Sequence, residues 1–309
     1  MTTDAQTDRD GQRQARLAIA TCGAIAREIM ADPGELRVIA AFDHACYLAC
    51  PRGIVCIGGE DIAKGPINVS VAMTRPWATL GVAVDDIGLS HGASLVIEDR
   101  LTLDATSGAT WQPLSPPPFT PAIVRQGLTA LQARAAPKVP GDGLACLAFA
   151  KTSPHAENRT ARAAQGQVRD LIEALSDETP SQARRDKLTH AAILLIGLGP
   201  GFRPSGDSFL AGVFLALTVA GQDRLRDALW LALEPELAFL TNPPSAMHLS
   251  AAADGMSEEP VHHLVNAILS GQGDAIGWHF DAAVQCGDTS GWETLAGLSL
   301  ALRALAAQV

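Results

Sequence analysis

The stretch that decides the fold is GLGPGFRPSGDSFLAGVFLAL, residues 197–217. It opens with three glycines and two prolines, a composition typical of a tight turn, and from Ser205 onward it has the apolar pattern of a buried helix. Part of it returns as GDTSGWETLAGLSLAL, residues 287–302. The two copies align on S-G-x-x-x-L-A-G-x-x-L-A-L, with eight of thirteen positions identical. This repetition predicts two similar turns, each followed by a buried helix.

Both copies carry the residues of a helix start. Pro204 disfavours helical backbone at the residue before it, so Ser205 is the expected N-cap, its hydroxyl accepting from the N–H of Asp207 or Ser208. Asp207 would lie in the first turn, where the helix dipole favours a carboxylate. Residues 290–293 have the S-x-x-E pattern of a capping box.

Each predicted helix also holds an interior glycine at the same offset from its start. Gly212 and Gly297 each cost about 0.5–1 kcal/mol relative to alanine, unless close contact between two backbones offsets that cost. We therefore predict that the two helices cross at these glycines, with both N-termini directed at one cavity.

The turn before the first helix has the pattern G-x-G-x-G, formed by Gly197, Gly199 and Gly201, with Arg203 beside it. The inward N–H groups of such a turn can bind an anion. The sequence lacks the Lys and Ser/Thr of a nucleotide-binding P-loop, and the strand–helix–strand context of a dinucleotide site. Two interpretations remain open: an anion-binding turn, or a tight connection between buried helices.

Composition excludes several classes of partner. The chain has 309 residues, 47% of them hydrophobic, and a net charge of -10 with pI near 5.2. An acidic protein of this kind is not expected to bind nucleic acid or an anionic membrane, although backbone N–H groups can still bind a small anion. The apolar run at residues 17–26 is too short to span a bilayer, so we expect a cytoplasmic protein.

The residue pattern of the chain changes at a proline-rich segment, QPLSPPPFTP, residues 112–121. Before it, residues 11–31 have helical periodicity, and short β-branched runs from 35 to 111 predict a small barrel or antiparallel sheet. After it, every run has helical periodicity. The sequence predicts an α+β protein, with an N-terminal helix plus a β-rich domain over residues 1–115 and an all-helical domain over 119–309.

Six cysteines are scattered in apolar surroundings, and three of them, Cys46, Cys50 and Cys56, are close in sequence. Their C-x3-C-x5-C spacing contains no C-x-x-C pair, so we expect buried, reduced thiols in strands and no metal site.

A second polar segment lies near residue 245. Thr241, Asn242 and Ser245 flank two prolines. They line the cavity in one interpretation and terminate a helix in the other, and both remain open. The adjacent His262 and His263 would point about 100° apart on a helix, which does not suit a shared metal.

The residues 197–212, GLGPGFRPSGDSFLAG, resemble the signature G-L-G-x-G-x-T-P-S-G-D-D-F-L-A-G of a bacterial family long described as a domain of unknown function. One branch of that family is the AllH-like H subunit of the oxamate carbamoyltransferase of anaerobic allantoin breakdown. GDTSGWETLAG, residues 287–297, resembles its later motif G-H-T-S-G-x-D-x-L-A-G. The resemblance implies a β-rich first half, a helical second half, and carbamoyl transfer between oxalurate, phosphate, oxamate and carbamoyl phosphate.

The sequence departs from this pattern at three positions. Arg203 replaces a Thr, Ser208 replaces the second Asp, and Asp288 replaces the His before T-S-G. A His can act as acid or base near neutral pH, whereas an Asp cannot donate a proton there unless its pKa is raised. These changes suggest a divergent substrate or a different task.

We expect an enzyme, or a subunit of one, that binds a small anion with a carbamoyl, ureido or phosphate group. Asp207 would orient or deprotonate a nitrogen nucleophile, and hydroxyl groups would bond the carbonyl or phosphoryl oxygens. The candidate catalytic residues are Asp207, Asp288 and Thr289. The candidate anion-binding residues are Gly197, Gly199, Gly201, Arg203, Ser205, Gly206, Ser208, Thr241, Ser245, Ser290 and Gly291.

Three alternatives stay open. No cofactor is required, but Mg²⁺ bound through Asp207 is left open. Other carbamoyltransferase subunits are possible partners, in which case this chain would hold or sense the anion while a partner chain performs the reaction. The remaining alternative is helix packing without any ligand.

Overall fold

A computed structural model describes residues 15–73, 76–104, 106, 108–150, 158–179, 181–287 and 289–307. The chain forms two compact units, Met1–Pro113 and Leu114–Val309.

The first unit is a β-barrel. Its strands are β1 Ala15–Gly23, β2 Gly34–Ala41, β3 Ala45–Cys50, β4 Gly53–Gly58, β5 Asn68–Val71, β6 Ile87–Ser90, β7 Ser94–Ile97, β8 Leu101–Asp104 and β9 Ala109–Trp111. Eight strands pair in the order β5-β4-β3-β2-β6-β7-β8-β1, and β1 closes the ring by pairing with β5. The ninth strand, β9, extends the edge beside β1. The predicted β-rich first half is confirmed, in its barrel form.

Three of the pairings are parallel: β1 with β8, β1 with β9, and β4 with β5. A purely antiparallel sheet is therefore excluded for this unit.

The prediction of one helix over residues 11–31 is wrong for its first half. Residues 15–23 form β1, and only Ala24–Ala31 is helical, as α1. Within β1, Ile19 pairs with Val71 of β5, and Ala15 pairs with Leu101 of β8. A short apolar run fits either period, and here pairing with strands distant in sequence decides it.

The second unit is helical, as predicted. Its helices are α2 Pro121–Ala135, α3 Ala145–Phe149, α4 Arg159–Ser176, α5 Gln182–Ile193, α6 Ser205–Val219, α7 Asp223–Leu240, α8 Pro243–Ala253, α9 Glu259–Leu269, α10 Gly273–Ala283 and α11 Ser290–Ala306. Two of them, α3 and α8, were not expected from periodicity. Within the described ranges, no helix combines the length and apolar character needed to cross a membrane.

Helices α6 and α11 form the centre of this unit. Residues 205–217 are all buried, and so are residues 290–299. A helix that is apolar on every side is expected in the interior of a domain. The repeated sequence therefore forms the two innermost helices, and their polar first turns lie inside the protein.

Candidate functional site

The helices α6 and α11 pack side by side in the same direction. The Ser205 hydroxyl donates to the carboxylate of Glu293, near the start of both helices. Further along, a Cβ on Gly297 would lie 1.9 Å from the Phe209 carbonyl oxygen, and one on Gly212 would lie 2.0 Å from that of Thr294. The predicted crossing at the two glycines is confirmed. Because Ser205 and Glu293 both lie in the first turns of their helices and are hydrogen-bonded to each other, both N-termini lie at the same end.

The predicted capping by serine is wrong in both copies. Helix α6 begins at Ser205 itself, its N-cap is Pro204, and no side chain caps it. Helix α11 has Thr289 at the N-cap, also without a side-chain cap. The Ser290 hydroxyl donates instead to the carbonyl of Cys286 at 3.0 Å. Each serine thus lies one position inside the helix, where its hydroxyl reaches a neighbouring segment.

The glycine after each serine accounts for the repeated S-G. A Cβ on Gly206 would lie 1.8 Å from the Leu195 carbonyl oxygen, and one on Gly291 would lie 2.2 Å from that of Ala283. The N–H of Gly206 donates to the Leu198 carbonyl at 2.8 Å, and the N–H of Gly291 donates to the Cys286 carbonyl at 3.0 Å. Both amides are therefore engaged within the chain, and both turns press against the end of the preceding helical segment.

The three glycines of the G-x-G-x-G turn all have left-handed backbone, with φ of 70° at Gly197, 108° at Gly199 and 98° at Gly201. A Cβ on Gly197 would lie 2.0 Å from the Leu240 carbonyl oxygen, and one on Gly199 would lie 3.0 Å from Ser205. Gly201 faces open space and is exposed. Gly197 and Gly199 therefore allow the turn to pack closely against neighbouring residues. Gly201 leaves its backbone exposed at the surface.

The Asp207 carboxylate holds this turn in place through hydrogen bonds. Its carboxylate accepts from the Gly197 N–H at 2.7 Å, from the Ser245 hydroxyl at 2.7 Å and from the Thr241 hydroxyl. The residue is almost fully buried. Burial raises the pKa of Asp207, and the hydrogen bonds and the charge of Arg203 oppose that rise. Asp207 therefore joins the glycine-rich turn to the corner between α7 and α8.

The segment around residue 242 ends one helix and starts the next, with Thr241 as the C-cap of α7, so it terminates a helix as one interpretation expected, while a role in lining a cavity stays a prediction. Asn242 is the N-cap of α8, and its side chain accepts from the Ser245 N–H at 3.0 Å. Pro243 and Pro244 occupy the first helical positions, where a missing N–H costs nothing. Thr241 and Ser245 flank this cap, and both face Asp207.

An ion pair between a partly buried arginine and a buried glutamate lies beside Asp207. Arg203 pairs with Glu258, whose carboxylate also accepts from the Ser257 hydroxyl at 2.9 Å. Burial would raise the pKa of Glu258, but the charge of Arg203 and the hydrogen bonds to the carboxylate together outweigh burial and hold that pKa well below the usual range. His248 Nδ1 lies 3.9 Å from the same carboxylate. Burial and the charge of Arg203 lower the pKa of His248 to about 3, so its imidazole is neutral at physiological pH.

Glu293 is a second buried carboxyl, in the first turn of α11. It accepts from the Leu144 N–H at 2.8 Å, and also from the Ala145 backbone and the Ser205 hydroxyl. Burial raises its pKa to about 7, although these hydrogen bonds lower it in part. Glu293 thus connects the starts of α3, α6 and α11.

The remaining candidates divide between surface and interior. Thr289 is exposed, as is Gly287 before it. Ser208 is 2% exposed, and its hydroxyl has no hydrogen-bond partner among the described groups. Asp288 lies outside the described residues.

No metal centre is assembled from the described residues: His, Cys, Asp and Glu side chains do not gather there in any group of three suited to an ion. The oxygens of Asp207 already accept three hydrogen bonds. All six cysteines are free thiols, and all except the half-buried Cys50 are buried. Cys46, Cys50 and Cys56 lie in β3 and β4, in strands as expected.

Glu258 and His248 were not recognised as a cluster from the sequence, and Glu293 was assigned only to a cap. Glu258 stands just before α9, where an acidic residue is ordinary. Nothing in the sequence near Glu258 marks it as buried. The substitution of Arg203 for the family's Thr was the available signal, because a buried Arg requires a buried partner.

Residues 195–302 match the model of a protein family described as oxamate carbamoyltransferase subunit AllH. The match covers about a third of the chain and includes both S-G turns together with α6–α10 and most of α11. It confirms, over this segment, the resemblance inferred from the two motifs. A search of the solved structures found no match to this chain.

Proposed function

We propose that this chain is a subunit of a carbamoyltransferase-type enzyme, and that it binds a small carbamoyl, ureido or phosphate anion at the shared end of α6 and α11. The observation that carries the proposal is the match of residues 195–302 to a carbamoyltransferase subunit family. By that resemblance, the anion is oxalurate, oxamate, phosphate or carbamoyl phosphate.

The direction of the two helices supports an anion at this end. Each helix N-terminus carries the equivalent of about half a positive charge, and here two of them lie together. Arg203 adds little to this field, because Glu258 compensates its charge. The attraction for an anion then comes mainly from backbone N–H groups, as in other helix-terminus sites.

Five of the candidate residues have a role in this proposal. Gly199, Gly201 and Thr289 would meet the anion, with the Thr289 hydroxyl bonding a carbonyl or phosphoryl oxygen. Asp207 and Ser205 would act as positioning residues, because their polar groups hold the turn from inside. Asp207 then shapes the site and does not itself deprotonate a nucleophile.

Calorimetric titration of the full chain with phosphate, carbamoyl phosphate, oxamate and oxalurate tests the proposal. We expect saturable binding of at least one of them, weakened about tenfold by Thr289→Val, which removes the bonding hydroxyl, and by Gly201→Ala, which disfavours the left-handed backbone that directs the turn's N–H groups. Gly221→Ala is the matched control, because Gly221 also has left-handed backbone and open space around it. Equal weakening by Gly221→Ala, or no binding of any probe, would exclude an anion site at this turn.

A second candidate function is a non-catalytic subunit that holds the anion for a partner chain, in a cytoplasmic multi-subunit enzyme. It is favoured by the engagement of Asp207 in three internal hydrogen bonds. Carbamoyl phosphate formation by the purified chain alone would exclude this version, whereas formation only after addition of the neighbouring gene products would support it.

A further inference from the structure

Two buried polar atoms near the proposed anion site have no hydrogen-bond partner among the described groups: the Ser208 hydroxyl and Nε2 of His248. Ser208 is 2% exposed and His248 is 9% exposed. A buried polar group without a partner costs roughly 1–3 kcal/mol, so such groups are rare in native proteins and often mark a ligand's place.

Helix geometry directs the two atoms into the space where α6, α8 and the start of α11 meet, here called the crevice. Successive residues of a helix are about 100° apart, which places Ser208 between the direction of Asp207 and that of Ser205. Asp207 faces α8 through Ser245, and Ser205 faces α11 through Glu293. Ser208 therefore projects from α6 into the angle between α8 and α11.

His248 enters the same angle from α8. Ser245 lies beside Asp207, and a Cβ on Gly255, just beyond α8, would lie 2.7 Å from the Thr218 side chain. Helix α8 thus runs parallel to α6, which places His248 at nearly the same height as Ser208. The imidazole lies close to Glu258, whose charge also acts on the Cys286 thiol just before α11.

The polar groups around His248 carry no net positive charge. Arg203 and Glu258 neutralise each other, the His248 imidazole is uncharged, and burial raises the pKa of the Cys286 thiol, which keeps it protonated. A buried carboxylate or phosphate would find no free positive charge among these groups, and its desolvation would be costly. A primary amide carries both a donor and an acceptor, which a hydroxyl and a neutral imidazole can match.

We propose that the crevice between α6, α8 and the start of α11 binds the uncharged amide end of the ligand, with Ser208 Oγ and His248 Nε2 as its hydrogen-bond partners. This inference rests on the proposed function, in which the charged end of the same small molecule lies at the helix N-termini. Ser208 and His248 are then the residues that select a carbamoyl or ureido group over a second carboxylate or a methyl group.

Calorimetry with oxamate, oxalate and pyruvate separates the two proposals, because the three anions share a carboxylate beside a carbonyl carbon and differ in having an amino group, an oxygen anion or a methyl group. We expect wild type to bind oxamate at least tenfold more tightly than the other two. Ser208→Ala and His248→Phe should reduce that preference to threefold or less and leave pyruvate binding unchanged. His248→Gln, whose amide nitrogen approximates Nε2, should retain it.

Ser299→Ala is the matched control. Ser299 is also fully buried with an unpartnered hydroxyl, but it lies about 200° around α11 from Gly297, away from α6. Ser208→Ala removes only an unpartnered hydroxyl, so it should unfold at or above the wild-type temperature.

Several results would count against the crevice as an amide site. Equal binding of the three anions, or an unchanged preference in Ser208→Ala, would overturn this inference and leave the anion site standing. If Ser299→Ala lost the preference equally, the effect would be general packing and the inference would fail. Binding of none of the three, or of phosphate alone, would also reject it.

Discussion

The backbone of Gly297 lies against the carbonyl oxygen of Phe209, so closely that a Cβ at position 297 would come within 1.9 Å of that oxygen. The reciprocal position, Gly212, would place a Cβ 2.0 Å from the Thr294 oxygen. Neither oxygen can move away, because both belong to the backbone of buried helices. The glycine of each L-A-G repeat is therefore required, because the backbone of the other helix leaves no space for a side chain there.

Gly297→Ala should destabilise the protein by about 1–3 kcal/mol or more, even though alanine is the better helix former. The added methyl group has no space, so the two central helices must separate. Urea denaturation followed by circular dichroism measures the loss as a lower midpoint.

Gly166→Ala in α4 is the control for that change. A Cβ at Gly166 would meet no atom within 4 Å, so the same substitution should stabilise by about 0.4–1 kcal/mol. If both variants shifted the midpoint in the same direction, helix propensity and not the crossing would account for Gly297.

The crossing was predictable because a glycine inside a helix is costly unless a second backbone lies against it, and two helices carry one at the same offset. The barrel was predictable in kind from β-branched runs, but its closure was not. Closure depends on β1 pairing with β5 and β8, and residues 15–23 alone fit a helix as well as a strand.

The polar interior was only partly predictable. Asp207 was expected near a helix start, and it lies there. That it accepts from Gly197, Thr241 and Ser245 depends on how three segments distant in sequence pack together. The serines were expected as caps because S-x-x-E is a local pattern, but close packing of the adjacent glycine moved each serine into the helix.

Glu293 should contribute stability at low pH that is lost as pH rises from about 4.5 to about 7, whereas the buried, neutral His248 contributes in the opposite sense. The pKa of Glu293 is near 4.5 ordinarily and about 7 in the folded protein, so the folded state binds the proton more tightly in that interval. The contribution is complete below pH 4.5 and is lost by about pH 7, amounting to roughly 3 kcal/mol. The contribution of Glu293 is isolated by subtraction: the stability of wild type minus that of Glu293→Gln should fall between pH 4.5 and 7, because the histidines contribute equally to both proteins.

Glu173→Gln is the control, because it removes one carboxylate from the exposed face of α4, where Glu173 pairs with Lys187. It should leave the slope between pH 4.5 and 7 unchanged. A difference between wild type and Glu293→Gln that does not change between pH 4.5 and 7 would mean that Glu293 does not hold a proton in the folded protein.

Asp207→Asn should loosen the glycine-rich turn while leaving the barrel intact. The amide of asparagine keeps one acceptor oxygen but replaces the other with an NH₂ group. That NH₂ group faces donors that then have no acceptor, and the loss of these hydrogen bonds costs roughly 1.5–3 kcal/mol. Hydrogen exchange should become faster at the Gly197 amide and remain unchanged in β3 and β4. Ser176→Ala provides a comparison, because the Ser176 hydroxyl donates on an exposed surface of α4. Unchanged exchange at Gly197 in Asp207→Asn would show that the carboxylate does not hold the turn.

Arg203 and Glu258 should behave as one unit in a double-mutant cycle. Arg203→Thr, the residue of the family signature, leaves the Glu258 carboxylate buried without its cation, and should cost about 3–5 kcal/mol. Glu258→Gln alone leaves the guanidinium unpaired, with a similar loss. The two together remove both charges, so the double variant should be more stable than either single variant, with a coupling energy in the upper part of the 0.5–3 kcal/mol range for contacting residues.

Arg226→Thr with Asp227→Asn is the matched surface cycle, where coupling below about 1 kcal/mol is expected because the carboxylate is exposed. Coupling as small in the Arg203–Glu258 cycle as at the surface would mean that water reaches the pair, and the neutral lining inferred for the neighbouring crevice would no longer hold.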